Sequence, residues 1–500
     1  MKNTIRSIAM LLSLLILLGS FVSCANTSGG EDTVPDTTAA VTVEETATAS
    51  EVTTAEETLF APDDLDEKYD FNETITIYLW SDHRMTEFYA DETGDLIEDA
   101  IFRRNIIVSE RLGIEFEFVE EKGDNTAYKT WIQKAENDWQ SDNAYDIYSG
   151  YSRAIPLLTL SNMTANLLAY EAFNVEKPWW PEALTSECTI NDKLYFCTGD
   201  IATSVLWYMN ALMYNKDLYS AHISTDKNPM DLVQNNEWTL DTFFGFVKDI
   251  HVDDGNGKKD DLDFLGATIY SYDIDSFQIS AGITSLEKSE TDGIKMSEAW
   301  NSQRCADVCE LVGNYLNSPG VYAATGKTRT VFDNQRSIFH LDRLFLISGA
   351  DNLTTEKIEF SYGVVPVPKF DTAQESFKTD LGDPFSLYAV NSQAKNIEAA
   401  VTTLEAMGSE NYRSVTPAVF EVAMKIRYTD DPQVSEMFDI LRAGLSFDLG
   451  VLYGYEFGGL TYNLFKDTAL SANPSGFLSS LKKSQRIIDS SIKKIIEIYG

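Results

Sequence analysis

Apolar and polar residues in the first part of the folded region alternate between strand-like and helix-like patterns. Ile75 to Trp80 alternates and is rich in β-formers, Leu96 to Leu112 has helical periodicity, and Ile114 to Phe118 alternates again. A helix around Ala127 to Asp138 and a strand over Tyr145 to Gly150 are predicted next. Strand, helix and strand in succession predict an α/β fold.

The middle of the chain has a clear order of predicted elements. Leu194 to Phe196 is expected to end a hairpin, and the apolar run Val205 to Tyr214 predicts a buried strand. Thr239 is the predicted N-cap of a helix, because the residues after it place phenylalanines and aliphatic residues at helical spacing. Later, Asp383 to Val390 predicts a strand that returns to the first part of the fold.

Four motifs in this framework resemble bacterial extracellular solute-binding proteins of family 1, the sugar-binding type of ABC importers. They are Lys177-Pro178-Trp179-Trp180, Tyr214-Asn215-Lys216-Asp217-Leu218, Trp238-Thr239-Leu240-Asp241-Thr242-Phe243 and Tyr362-Gly363-Val364-Val365-Pro366-Val367-Pro368-Lys369. Runs after Tyr412 are similar to a clostridial-type lipoprotein branch of that family. The resemblance covers residues 71 to 500. It implies a type II periplasmic-binding-protein-like fold, with two α/β lobes, a hinge and a cleft between the lobes.

The N-terminus has the features of a lipoprotein signal. Lys2 and Arg6 precede an apolar stretch, Ile8 to Val22, that is too short to span a bilayer. Phe21-Val22-Ser23-Cys24 resembles a lipobox in which Cys24 is lipidated, and ordinary secretion with cleavage nearby is the alternative. Residues 25 to 67 contain neither Lys nor Arg, which favours a disordered acidic tether.

These features divide the chain into four expected parts. They are a signal peptide at 1–23, the lipidated cysteine and Thr-rich tether at 24–70, a first lobe formed by 71–200 and 383–415, and a second lobe formed by 201–382 and 416–500. After the signal and tether, about 430 residues remain, which suits two lobes better than one core.

The formal net charge of −39 limits the partners that the protein can have. Nucleic acid is excluded, because its phosphates require basic patches that this chain lacks. Neutral solutes and cations remain compatible with an acidic protein. Solubility at the cell surface is the simpler explanation of the charge.

Four cysteines besides Cys24 leave their redox state open. Cys188 and Cys197 flank the predicted hairpin and are candidates for a disulfide. Cys305 and Cys309 lie four residues apart on a predicted helix, a spacing that favours buried free thiols. With four histidines and no Cys-x-x-Cys motif, a zinc site is not expected.

An acidic loop resembles an EF-hand calcium loop, a feature that many relatives carry at this place. Taking Gly257 as the turn glycine assigns the ligand positions to the following residues. They are Asp254, Asn256, the Lys258 carbonyl, Asp260 and Asp263. The first position would fall on Val252, which cannot ligate, so a solvated acidic turn is the alternative to a structural calcium ion.

Ligands of open α/β sheets bind beyond the carboxyl ends of strands, which guides the choice of candidate cleft residues. Aromatic side chains would stack on a sugar ring while carboxylates, amides and an arginine bind its hydroxyls. The candidates are Trp80, Asp82, Tyr151, Asp200, Trp207, Tyr208, Asn210, Arg343, Asp383 and Tyr453. Any of them could instead be a core residue.

The resemblance implies a function without catalysis. The protein would be a lipid-anchored monomer on the outer face of the cell membrane that binds a mono- or oligosaccharide and delivers it to an ABC importer permease. Two alternatives remain at this stage, a secreted carbohydrate-processing enzyme and a surface adhesin. The sequence does not identify the solute.

Overall fold

Two separate β-sheets form the framework of the protein. The structure is a computed structural model that describes residues 61–83, 87–88, 90–223, 226–347, 358–427 and 431–500. The predicted signal peptide, Cys24 and the tether as far as residue 60 lie outside these ranges. The described residues belong to one compact unit, so the expected division into two lobes stays a prediction.

The strands and helices are numbered separately in chain order. The strands are β1 (Glu73–Trp80), β2 (Ile114–Glu121), β3 (Ile147–Tyr151), β4 (Asn210–Asn215), β5 (His251–Val252), β6 (Phe264–Tyr270), β7 (Leu286–Ser289), β8 (Gly293–Met296), β9 (Val321–Ala324), β10 (Ser337–Arg343), β11 (Tyr362–Pro366) and β12 (Ser386–Val390). The first helices are α1 (Leu96–Leu112), α2 (Tyr128–Gln140), α3 (Ile155–Leu160), α4 (Glu182–Cys188), α5 (Ser204–Trp207), α6 (Lys216–His222), α7 (Pro229–Gln234) and α8 (Leu240–Val247). The later helices are α9 (Ser276–Ser280), α10 (Gln303–Leu316), α11 (Thr328–Asp333), α12 (Ile397–Glu410), α13 (Pro432–Ala443), α14 (Leu449–Leu452), α15 (Leu460–Ala469) and α16 (Phe477–Tyr499).

Shorter helical segments connect these elements. They include four segments of 3-10 type and two of π type. They are Ser81–His83, Ser271–Asp273, Leu344–Ile347 and Pro474–Gly476 for the 3-10 type, and Asn411–Val415 and Pro417–Arg427 for the π type.

The first sheet has the strand order β12-β3-β1-β2. Strands β1, β2 and β3 are parallel, and β12 joins them antiparallel, with Ser386 opposite Tyr151. This arrangement confirms that the chain returns to the first sheet after Asp383. The carboxyl ends of β1 and β3 and the start of β12 therefore lie at one edge.

The second sheet has the order β11-β4-β10-β6-β5, and β9 pairs with β6 as well. Strands β6, β9 and β10 are parallel to one another, while β4 runs antiparallel to β10 with Asn210 opposite Arg343. The ends of β6 and β10 and the start of β4 consequently lie at one edge of this sheet. Strands β7 and β8 form a separate hairpin.

Two chain segments that cross between the sheets are hydrogen-bonded to each other. The Asn210 amide donates to the Asp380 carbonyl over 2.9 Å, and the Gly382 amide donates to the Tyr208 carbonyl over 2.8 Å. Met209 and Leu381 form the bridge between these bonds. The two crossings therefore form a short two-stranded ribbon between the sheets, close to the predicted lobe boundaries after residues 200 and 382.

A buried carboxylate joins the start of the first crossing to the first sheet. Glu87 accepts hydrogen bonds from the Ser204 amide at 2.9 Å and from the Ser386 hydroxyl at 2.6 Å. The Trp80 indole N–H donates to the same Ser386 hydroxyl over 2.9 Å. Because a buried carboxylate is costly unless its oxygens receive donors, this network fixes the positions of α5 and β12 relative to β1.

The same network explains why one strand prediction is wrong in its first half. Val205 to Tyr214 was expected to be a single buried strand, but Ser204–Trp207 form α5 and the strand begins at Asn210. The Ser204 amide lies at the start of that helical turn and is bound by Glu87. A distant acid therefore decides the local conformation, which the apolar pattern cannot indicate.

Several other predictions are confirmed closely. Helix α1 spans Leu96 to Leu112 as expected, begins at Asp95, whose carboxylate accepts the Ile97 amide over 2.9 Å, and ends at Gly113 with a φ of 65°. Thr239 is the N-cap of α8, and its hydroxyl accepts the Thr242 amide over 3.3 Å. Local capping chemistry sets these boundaries, so the sequence can show them.

The disordered tether was expected to reach residue 70, but residues 61–70 pack on the folded body. The Asp63 carboxylate accepts from Arg111 at 2.7 Å and from Arg413 at 2.6 Å, and its side chain is 5% exposed. Burial opposes ionisation of Asp63, yet the two guanidiniums and Ser409 hold its pKa well below the usual range. The acidic composition predicted disorder because it gives no sign of arginines supplied by other elements.

The predicted disulfide between Cys188 and Cys197 is not formed. Both are buried free thiols whose pKa values are raised by burial. Cys188 ends α4, whereas the Cys197 amide and carbonyl bond the main chain of Tyr388, each over 2.8 Å. The main chain of Cys197 therefore forms an additional β-bridge with β12 of the first sheet. Cys305 and Cys309 are buried free thiols, as predicted.

None of the helices within the described ranges is both long enough and apolar enough to cross a membrane.

We expect Thr239→Ala to lower the free energy of unfolding by about 1 kcal/mol, because the Thr242 amide loses its acceptor. Thr239→Ser keeps a hydroxyl at this position and should retain most of the stability. Urea denaturation of the two variants and the parent would measure the difference. Equal midpoints for all three proteins would show that the cap does not contribute.

Candidate functional site

The carboxyl ends of strands from both sheets meet charged side chains next to the crossing ribbon. Five carboxylates and two guanidiniums gather there, and we call them the charged cluster. Its members are Arg153, Asp273, Asp275, Asp342, Arg343, Asp380 and Asp383. Arg153 follows β3, Arg343 ends β10, and Asp273 and Asp275 follow β6. Strand direction explains this convergence, since the residues after parallel strands lie at one edge.

Arg153 and Asp383 join the end of the first sheet to the second crossing. The guanidinium donates to the Asp383 carboxylate over 2.9 Å, and the Tyr151 hydroxyl donates to the same oxygen over 2.5 Å. The Ser152 hydroxyl donates to the Asp383 carbonyl over 2.5 Å. Burial opposes ionisation of Asp383, but Arg153 and the Tyr151 hydroxyl outweigh it and lower the pKa. Asp383 is therefore held as a carboxylate.

Arg343 has the corresponding position at the end of the second sheet. Its Nε atom lies 3.1 Å from an Asp342 oxygen and 3.8 Å from an Asp273 oxygen. Its guanidinium lies 5.7 Å from the ring centroid of Tyr208 and 5.2 Å from that of Tyr270. Burial would raise the pKa of Asp342, but Arg343 and His340 lower it to about 2. This arginine is thus flanked by carboxylates and aromatic faces.

Three carboxylates of the cluster are poorly compensated. Burial, reinforced by Asp383, raises the pKa of Asp275 to about 7. Burial also raises the pKa values of Asp273 and Asp380, and the three acids lie near enough to repel one another. One Asp273 oxygen and the side-chain oxygen of Asn210 are buried without a hydrogen-bond donor. Buried acceptors without donors are uncommon in folded proteins, which marks this place as a candidate site.

Aromatic rings lie beside these charges. Tyr455 stacks on Tyr128 with ring centroids 4.2 Å apart and lies 6.2 Å from Tyr151, which in turn is 5.6 Å from Trp80. The ring of Tyr462 lies 3.7 Å from the Arg153 guanidinium. Flat apolar faces next to hydrogen-bonding groups form the kind of surface that binds polar ring compounds.

The structure brings half of the predicted cleft residues together. Tyr151, Tyr208, Asn210, Arg343 and Asp383 belong to the charged cluster or contact it, and Asn210 donates to Asp380 over 3.0 Å. Trp80 lies behind Tyr151 in the core and is 1% exposed. Trp80 therefore packs against Tyr151 from the core and does not itself line the site.

The other predicted residues lie elsewhere. Asp82 is exposed and accepts the Gly123 amide over 3.2 Å, and Trp207 is buried in α5. Tyr453 is fully buried, with its hydroxyl 3.1 Å from that of Tyr499. Tyr453 was predicted, whereas the tyrosine that lies next to Tyr151 at the cluster is Tyr455. Composition cannot separate the two, because the turn after α14 decides which ring faces the cluster.

Asp200 lines a different concavity, a cavity of about 640 Å³ on another part of the crossings. Its carboxylate accepts from Arg442 over 2.8 Å and from the Thr416 hydroxyl over 2.7 Å. Gly199, next to it, has a φ of 136°, and a Cβ there would lie 2.3 Å from the Trp179 carbonyl oxygen. One Asp200 oxygen accepts both bonds, whereas the charged cluster combines polar side chains from both sheets, so we place the candidate site at the cluster.

Sequence reasoning missed Arg153, Asp273, Asp275, Asp380 and Tyr455. A usable signal existed for Arg153, which lies three residues after the predicted strand end at Gly150, whereas Asp273 and Asp275 follow β6, a strand that was not predicted. No comparable signal marks Asp380. Its place at the site depends on the pairing of the two crossings.

The acidic loop does not have the geometry of a calcium site. Both oxygens of Asp263 accept protein hydrogen bonds, from the Asp254 and Asp260 amides and from His251 at 2.8 Å. The Asn256 amide group donates to Asp260 over 2.9 Å, and the loop thus closes on itself. Throughout the described ranges, no three His, Cys, Asp or Glu side chains converge as metal ligands would. The calcium prediction is not supported by this arrangement.

No protein-family model and no curated protein matches the sequence. Solved structures do match, across most of the chain. UspC from M. tuberculosis is 16% identical, with 84% of this chain and 100% of that chain covered and a TM-score of 0.53. The ABC substrate-binding protein Lmo0181 from Listeria monocytogenes, in complex with cycloalternan, is 14% identical over 84% of this chain and 98% of that chain, with a TM-score of 0.50.

The maltose-binding periplasmic protein MalE from Listeria monocytogenes, in complex with maltose, gives a similar result. It is 14% identical, covers 85% of this chain and 97% of its own, and has a TM-score of 0.50. Together with the two sheets and their crossings, these matches define the fold. The chain has the type II periplasmic-binding-protein fold of sugar-binding ABC solute-binding proteins, as the motifs predicted.

We expect Asp275 to make the protein less stable as the pH rises from about 4 to 7. In this range the folded protein keeps a proton that the unfolded chain has released, because the pKa is about 7 in the folded protein and 3.8 for a fully solvated aspartate side chain. Asp275→Asn should remove up to about 1.4 kcal/mol per pH unit of this slope. Urea denaturation at several pH values would measure it.

The matched control for this experiment is Asp142→Asn, an exposed position away from the cluster. Its stability should follow the parent at every pH. If Asp275→Asn also runs parallel to the parent, Asp275 does not hold a raised pKa in the folded protein.

Proposed function

We propose that this protein is an extracellular solute receptor that binds a mono- or oligosaccharide at the charged cluster and releases it to an ABC importer. The observation that carries the proposal is the placement of hydrogen-bonding side chains beside tyrosine rings, where the ends of both sheets meet: Arg153 and Tyr151 at Asp383, and Arg343 next to Tyr208 and Tyr270. Carbohydrates offer many hydroxyl donors and flat C–H faces, which match these two features. Two of the structurally similar proteins contain cycloalternan and maltose, which supports a sugar as the solute.

The crossings support a mechanism of binding by closure. The cluster contains residues from both sheets. A solute that contacts residues of both sheets would therefore favour the conformation in which the two sheets are close together. The ribbon between Tyr208–Asn210 and Asp380–Gly382 is the narrow connection about which such a movement would occur. Asn210 of the ribbon donates to Asp380 of the cluster, and the adjoining Asp383 is itself a member, which couples the connection to the solute.

We further propose that Cys24 anchors the protein by a lipid to the outer face of the membrane. The lipobox-like sequence and the acidic, Thr-rich stretch after it support this assignment. The composition of that stretch predicts a tether, and about 40 residues of it would let the folded body reach a permease several nanometres away.

Binding can be tested with a panel of disaccharides that includes maltose, cellobiose and the β-1,4-linked glucosamine disaccharide. A bound sugar at 100 times its Kd should stabilise the folded protein by about 2.7 kcal/mol, seen as a higher Tm, and small-angle scattering should show a more compact particle. A Tm unchanged by every member of the panel would contradict the proposed function.

For the sugar that gives the largest Tm shift, Tyr455→Ala should weaken binding roughly tenfold, because one stacking face is lost. Tyr453→Phe is the matched control. It removes a hydroxyl that is hydrogen-bonded to Tyr499 and Thr159 in the core and should leave the affinity unchanged while lowering stability. Isothermal titration of both variants measures the effect, and equal losses of affinity would contradict the assignment of Tyr455 to the site.

Cys24→Ala should move the mature protein from the detergent phase to the aqueous phase in Triton X-114 partitioning of expressing cells. Ala25→Ser, which keeps the cysteine, serves as control. Partitioning of Cys24→Ala with the detergent would exclude a lipid on this cysteine as the anchor.

A further inference from the structure

One aromatic side chain next to the charged cluster is open to solvent. Tyr272 is 54% exposed, whereas every other aromatic side chain within the described ranges is buried or half-buried. It lies in the short helical segment Ser271–Asp273, directly after β6, at the edge where the ends of both sheets meet. A single exposed apolar side chain is ordinary on a protein surface, so the significance of Tyr272 depends on its surroundings.

The neighbours of Tyr272 hold its ring in place. The ring centroid of Tyr270 lies 5.4 Å away in an edge-to-face arrangement, and the Lys466 ammonium lies 5.0 Å from the Tyr272 centroid. These two neighbours cover part of the ring and leave the rest accessible. Because both contacts already restrict the side chain, a solute that stacks on it loses less side-chain entropy than one that binds a mobile ring.

The same neighbours connect Tyr272 with the cluster. Lys466 lies on α15 four residues after Tyr462, whose ring is 3.7 Å from the Arg153 guanidinium. Side chains four residues apart share one face of a helix and leave it about 6 Å from each other. Tyr272 therefore meets α15 one turn further along than Arg153 does. On its other side, Tyr270 lies 5.2 Å from the Arg343 guanidinium.

A separate aromatic surface lies at the end of the first sheet. Tyr455 stacks on Tyr128 with ring centroids 4.2 Å apart and lies 6.2 Å from Tyr151, which ends β3. Among the described residues, the ring of Tyr272 contacts that of Tyr270 and none of these three. Aromatic rings in contact have centroids within about 7 Å, so the two surfaces are distinct. A solute that stacks on both has to bridge this separation, which favours a chain of sugar rings over a single ring.

Resting on the sugar receptor proposed above, we infer that Tyr272 is a second stacking position that selects oligosaccharides over monosaccharides. One sugar ring stacks at Tyr455, and a later ring of the same chain stacks on the exposed part of Tyr272. A stacked aromatic contact changes affinity about three- to tenfold. The length of the solute is therefore read by two rings that stand at the ends of different sheets.

The test uses sugars of one repeating unit and increasing length. Glucose, maltose and maltotriose form an α-linked series, and glucose, cellobiose and cellotriose form a β-linked one. Isothermal titration of the parent protein should give a Kd at least about tenfold lower for the tightest-binding chain than for glucose, because only a chain reaches Tyr272.

Tyr272→Ala isolates the contribution of this ring. It should raise the Kd of the tightest-binding chain about three- to tenfold and change the glucose Kd by less than about twofold. Tyr272→Phe keeps the aromatic face and should stay within about twofold of the parent. Ile487→Ala is the matched control, because Ile487 is an apolar residue on α16 that is 52% exposed, and it should leave every Kd unchanged.

The outcomes distinguish this inference from the function on which it rests. Equal Kd values of the parent for glucose and for the tightest-binding chain would overturn the selection of length and leave the sugar receptor standing. An equal loss of affinity for both in Tyr272→Ala, or a loss in Tyr272→Phe as large as in Tyr272→Ala, would overturn it too. If no sugar of either series binds and no panel member raises the Tm, both proposals are contradicted.

Discussion

The compensation of buried carboxylates by Arg153 and Arg343 is the interaction on which the site depends. Each guanidinium lies at the end of one sheet, and each binds an acid that the chain brings to the same place. Removing one partner from such a pair leaves a buried charge uncompensated, which costs several kcal/mol. The approach of the two sheets is thus coupled to electrostatics as well as to apolar packing.

The crossing ribbon joins the two sheets right next to these paired charges. Main-chain hydrogen bonds between Tyr208–Asn210 and Asp380–Gly382 hold the two crossings side by side. The side chain of Asn210 bonds Asp380, and Asp383 is bound by Tyr151 and Arg153. The same few residues therefore connect the sheets and contact the site, so a bound solute can act on the connection directly.

The buried Glu87 network has a different role from the charged cluster. Its carboxylate receives donors from both Ser204 and Ser386, so the protein itself satisfies it. At the cluster, by contrast, acceptors on Asp273 and Asn210 lack donors. A satisfied polar network stabilises a fold, whereas buried acceptors without donors are uncommon and mark this edge of the two sheets as a candidate site.

The sequence by itself determined the elements whose signals are local. Helix α1, the Thr239 cap, the first three strands and the return strand β12 follow from periodicity and capping, and the motif order indicated the fold class. These features depend on residues within a few positions of one another, which a pattern along the chain contains. Half of the predicted cleft residues lie at the charged cluster for a related reason, since strand ends can be located locally.

Only the tertiary structure decided the remaining features, because they depend on partners far apart in the chain. Glu87 makes a helical turn of Ser204–Trp207, the arginines Arg111 and Arg413 order residues near Asp63, and Tyr388 binds the main chain of Cys197. The position of Tyr455, and not Tyr453, at the site also depends on residues that are distant in the chain. The same is true of the position of Asp380. Long-range pairing gives these residues their positions, and nothing in their immediate neighbours specifies it.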